Sequence, residues 1–144
     1  MSKVSYSLKG AKELTEYLRE APQKVRMAVD DELSDISAEM EGAIVLKITH
    51  GAKSGRAYKR GKVRHQASAP GEAPASDTGN LMKSIYSEKV RDLTYVVGSR
   101  IVYALHLEYG TRKMAARPFF RPAVEQEKTE INPRLKAVMD GVLK

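Results

Sequence analysis

The chain has 144 residues, a length that suits one domain, and 42% of them are hydrophobic, enough to hold a core without metal or disulfide. It contains no cysteine, which excludes thiol chemistry, disulfide bonds and cysteine-ligated zinc. The net charge of +7 suits nucleic acid or another acidic partner, whereas the longest apolar run, Ile101 to Leu105, is far too short for a membrane span, and the first residues lack the apolar stretch of a signal peptide, so folding in the cytoplasm is expected.

Charge is segregated along the chain. Residues 10–42 carry nine carboxylates against four bases, while the stretch between Glu41 and Glu72 has no carboxylate and holds Lys47, Lys53, Arg56, Lys59, Arg60, Lys62 and Arg64. An acidic segment followed by a basic one points to complementary faces that meet within the molecule or between copies of it. From Leu14 to Ile48 the apolar residues recur in steps of three and four, through Leu18 and then Val25, Val29, Leu33, Ile36, Met40 and Ile44, which is helical periodicity. Pro22 breaks the pattern, so a short helix is predicted near 10–20 and a long one from about Pro22 to between Thr49 and Gly51. Asp31, Asp35 and Glu39 lie at i, i+4 spacing on its polar face, where like charges disfavour a lone helix by about 0.2–0.5 kcal/mol per pair. Something basic is expected to face them.

Residues 50–77 show neither helical nor strand period and combine glycines and prolines with the bases, which predicts a long basic loop. Loops beyond roughly 12–15 residues are uncommon in compact domains and are usually functional or disordered. Asp77 or Thr78 is placed to cap a short helical turn through Leu81. The period then changes to two: Ile85 to Val90 alternates, Arg91 to Leu93 makes a turn, and Thr94 to Ser99 is rich in strand formers, which predicts a β-hairpin. Ile101 to Tyr109 reads as a strand or a short helix, ended by Gly110. Arg117 to Arg121 reads as a last short strand, with Phe119 and Phe120 on opposite faces. A helix opens at Pro122, and Asn132–Pro133 kinks or restarts it.

The sequence carries little that points to reaction chemistry. Around Gly51–Ser54 the glycines of a phosphate loop are missing; His106 and Glu108 stand two apart, whereas a helical metal pair needs i, i+4; and Ser99 has no nucleophile-elbow glycine after it. No catalytic, metal or cofactor residue is assigned. The loop bases, Lys53, Arg56, Lys59, Arg60, Lys62 and Arg64, are candidate contacts for DNA or an acidic protein partner. With Tyr58 as its one aromatic residue, the loop lacks the stacking residues of single-strand binders.

The run Tyr103, Ala104, Leu105, His106, Leu107, Glu108, Tyr109, Gly110, Thr111, followed by Arg117, Pro118, Phe119, Phe120, Arg121, Pro122 and Ala123, resembles the signature of the tail-completion, or neck, proteins of long-tailed bacteriophages and prophages, whose members are also called minor tail or head-tail joining proteins. The earlier run from His65 to Pro74, with Asp77 to Leu81, Ser84 and Ile85, is similar to that family's loop-to-strand junction. The likeness spans about 60 residues; the N-terminal half agrees in pattern only.

The resemblance implies a single tail-terminator-like α+β domain over residues 1–144. A small antiparallel or mixed sheet of about four strands would pack against a long N-terminal helix and a C-terminal helix. It implies a virion structural protein of the neck or tail, put together in the bacterial host cytoplasm as a ring, commonly of six copies, with the tail-tube or tail-terminator protein and the head connector as partners. DNA contact through the lumen is compatible with this. Glu108 and Arg121, with Asp31, Asp35 and Glu39, are the residues expected at a subunit interface. The alternative function is a nucleic-acid-binding protein that uses the basic loop.

Overall fold

In the computed structural model, which describes residues 5–9, 19 and 22–143, the apolar steps of the N-terminal half fold as one helix of 28 residues, α1 (Gln23–His50). Pro22 precedes it in extended conformation, and its carbonyl accepts from the amides of Val25 at 2.9 Å and Arg26 at 3.3 Å. Proline lacks only a donor, so it serves here as an acceptor at no cost. The short helix expected near 10–20 lies, apart from Arg19, outside the described residues.

The remaining elements are β1 (Ser5–Lys9), β2 (Ala57–Arg60), β3 (Val63–Gln66), α2 (Asn80–Ser84), β4 (Ile85–Arg91), β5 (Thr94–Ser99), α3 (Tyr103–Tyr109) and α4 (Phe120–Val142). The protein is α+β, with a three-stranded antiparallel sheet in the order β1-β5-β4 and a separate two-stranded hairpin of β2 and β3. The predicted hairpin is β4–β5, in register from Ile85 opposite Ser99 to Lys89 opposite Tyr95, with a bulge before Arg91. Along β5 the period of two buries Tyr95, Val97 and Ser99. In the turn, Leu93 adopts a φ of +50°, an uncommon conformation for a bulky residue, and its burial beside Tyr95 holds it there.

Of the two readings open for Ile101 to Tyr109, the helix is the one formed, over Tyr103–Tyr109, whereas the strand expected at Arg117 to Arg121 needs correction: residues 117–119 lead directly into α4. Phe119 and Phe120 therefore do not point to opposite faces: both are fully buried, with ring centroids 4.9 Å apart. Helix α4 continues through Asn132 and Pro133, because Ile131, Leu135 and Met139 pack on the apolar cluster around the N-terminal half of α1 and carry the chain past the proline.

At 1.5 Å per residue α1 is about 42 Å long, and its buried stripe supplies two clusters. Met40, Ile44 and Ile48 meet Leu81, Ile85, Val97, Ala104, Phe119, Phe120 and Ala123, while Val25, Val29, Leu33 and Ile36 meet Leu93, Tyr95 and Leu135. Among the described residues no helix is long and apolar enough to cross a membrane.

Candidate functional site

The basic segment is not structureless. It folds into an arm in which Ala57–Arg60 pairs antiparallel with Val63–Gln66 around a Gly61–Lys62 turn, and Gly61 supplies a φ of +61°. Strand alternation divides its side chains between two faces. Tyr58, Arg60 and His65 share one face, where they converge on Asp77: Arg60 Nη1 lies 2.7 Å and the Tyr58 hydroxyl 3.3 Å from Asp77 Oδ2, and His65 Nε2 lies 3.1 Å from Oδ1. The Tyr58 and His65 rings stack at 5.7 Å. Desolvation works to raise the Asp77 carboxyl, but the hydrogen bond and charge of Arg60, with His65 and Tyr58, hold it below its ordinary value.

The root of the arm is tied to the body by two further side chains. The Glu72 carboxylate accepts from the Ser54 hydroxyl at 2.5 Å and from the amides of Ser54 at 2.9 Å and Ala69 at 2.7 Å, contacts that lower its pKa. Arg117 donates through Nη1 to both the carbonyl and the hydroxyl of buried Ser68. Sequence reasoning missed these roles, although Glu72 and Asp77 are the first carboxylates after the acid-free stretch.

The six candidate bases separate accordingly. Arg60 is taken by Asp77, and Lys53 donates to the Thr49 carbonyl at 2.9 Å. Arg56, Lys59, Lys62 and Arg64 are exposed and make no ion pair with the described residues. Lys59 lies directly opposite Arg64 across the ladder, an arrangement that like charges disfavour.

The acidic stripe of α1 finds its basic partner within the chain. Arg134 of α4 bridges Glu32, at 2.6 Å, and Glu39, whose pKa its hydrogen bond lowers; Lys89 of β4 lies 2.5 Å from Asp30. Of the expected interface acids only Asp31 and Asp35 stay exposed without an ion pair among the described residues.

Glu108 was expected between subunits and is instead fully buried within this one. Its Oε2 accepts from the amides of Phe119 at 2.8 Å and Phe120 at 2.9 Å, and its Oε1 from that of Arg121 at 2.8 Å. A helix leaves its first four N–H groups without intrahelical acceptors. Here Glu108 takes three of them, and the fourth residue, Pro122, has none to offer. Gly110 turns the chain back after Glu108 with a φ of +76°, and a Cβ there would lie 2.8 Å from the Ala116 nitrogen and the Met114 oxygen. Thr111 and Met114 close the turn through mutual backbone hydrogen bonds, and half-buried Pro118 leads into Phe119. The Arg121 side chain is exposed, as are Tyr103 and Tyr109.

A cleft of about 370 Å³ opens between the arm, residues 74–81 and α3, lined by Tyr58, Pro74, Asp77, Leu81, Tyr103, Leu107, Met114 and Arg117 among others. No protein-family model, no curated protein and no solved structure matches the chain.

Proposed function

We propose that the chain is a non-enzymatic structural protein of a phage or prophage neck or tail, which assembles as a ring to complete the tail and join it to the head connector. The observation that carries this reading is that the two resembling segments, on either side of the β4–β5 hairpin, are bonded into one unit. Arg117 reaches Ser68, the Gly71 amide donates to the Ala116 carbonyl at 2.9 Å, and both segments line the same cleft.

The test is sedimentation and negative-stain microscopy of the purified protein, alone and mixed with a phage tail-tube protein. Closed rings, free or capping tube ends, are expected. A monomer that leaves the tube ends bare would overturn the reading.

A further inference from the structure

The arm presents bases in a way that neither its own fold nor the rest of the chain uses. Strand alternation sends Tyr58, Arg60 and His65 to Asp77, so the single aromatic ring and one of the bases are committed to the latch. The opposite face carries Lys59 beside Arg64, with Lys62 at the turn, all exposed and outside ion pairs with the described residues. Holding two cations side by side on a ladder is unfavourable unless an anion joins them.

The chemistry of that face narrows the partner. Its other ladder residues are Ala57 and Gln66, and the Gln66 amide is donated to the Gly55 carbonyl, so no large apolar group and no free amide is left to seat a protein or read a base edge. Protein interfaces are built around an apolar core, and single-strand binders around exposed aromatic rings. Point charges in a row suit phosphates, and the major groove of a duplex is wide enough to admit a two-stranded ribbon. A second copy is a poor match: α1 retains only Asp31, Asp35 and Glu41 outside ion pairs with the described residues, Glu41 accepting from the Ser87 hydroxyl, and Glu125, Glu127 and Glu130 of α4 are interleaved with Arg121 and Lys128.

We infer that the outer face of the β2–β3 arm binds the phosphate backbone of duplex DNA through Lys59, Lys62 and Arg64, without sequence preference. The inference does not depend on ring formation. Fluorescence anisotropy of the full chain with a labelled duplex of about 30 base pairs, at salt from roughly 50 to 200 mM, tests it. Three phosphate contacts give a log–log salt slope of about −3, a loss of about 40-fold over that range, and two duplexes of unrelated sequence should bind alike. Lys59→Gln with Arg64→Gln should reduce the slope by about 2. Lys136→Gln, on α4 away from the arm, should leave it unchanged, and circular dichroism should show both variants folded.

Three outcomes overturn the inference. One is no duplex binding at the lowest salt; another is an equal loss of slope in the Lys136→Gln variant, which means diffuse charge. The third is an arm variant that keeps its DNA slope but loses self-association, which makes the arm a contact between copies.

Discussion

Glu108 shows how much one side chain can hold. Its carboxylate accepts from three amides at the start of α4, two of them buried beside the Phe119 and Phe120 rings. Glu108→Ala takes this acceptor away from all three, at roughly 1–3 kcal/mol for each donor before relaxation. We expect a net loss of about 3 kcal/mol in urea melts and a fall in Tm on the order of 10 °C. Glu108→Gln keeps one acceptor oxygen and should lose about half as much. A melt unchanged by Glu108→Ala would mean that water or another group can cap the helix. Gly110 and Pro122 are legible in the sequence as a turn and a helix start, because each carries its geometry in its own backbone. Glu108 is not, since nothing local says which amides it will meet.

The arm behaves as a latched element. Asp77→Ala removes the shared anchor of Tyr58, Arg60 and His65, so the amides of β2 and β3 should exchange faster while those of α1 and β5 keep their protection; equal exchange in the parent and the variant would show that the ladder alone holds the arm. The same latch gives a pH dependence. Asp77 and Glu72 are held below their ordinary values of 3.8 and 4.5, so their contribution is complete above the carboxylate range and is lost as pH falls through the lower folded-state values. Exchange in the arm, corrected for its intrinsic rate, should rise as pH falls below about 4.

The other element that departs from local preference is α4. Proline in a helix interior costs about 3 kcal/mol through its missing donor and its ring. Pro133 is exposed, so Pro133→Ala should raise stability by about 1–3 kcal/mol in denaturant melts. A loss of stability instead would show that a bend at Pro133 is needed to seat Leu135 on α1.

Taken as a whole, the molecule hangs on α1. The two apolar clusters share no buried residue, but α1, β5 and α4 each contribute to both, and half-buried Ile131 packs against both. Damage at either end should therefore act on one transition. Leu33→Ala and Ile44→Ala, one in each cluster, should each cost about 2–5 kcal/mol and shift the same cooperative melt. Two separated transitions would mean that the ends of α1 unfold independently. The Arg134 bridge between α1 and α4 adds little to this: the guanidinium is 30% exposed, so Arg134→Met should cost no more than about 1 kcal/mol.

Elements whose pattern repeats along the chain are legible in the sequence alone. The steps of three and four from Val25 to Ile48 mark α1 and its buried stripe, and the period of two marks β4 and β5, because both patterns reflect the same face returning to one core. The β2–β3 arm is not legible in this way, since its eight strand residues are nearly all polar or charged and bury no regular face. Neither is the short segment Ser5–Lys9, because its place at the sheet edge comes from pairing with β5, some 90 residues away. The interface acids are separated by tertiary contact: Glu39 belongs to Arg134 and Glu108 to the start of α4, while Asp31 and Asp35 face outward. The chain's own order shows which residues repeat and which segments carry charge. Which carboxylate meets which donor depends on distances between groups up to a hundred residues apart, and only the packing of α1 against α4 and of the arm against Asp77 sets them.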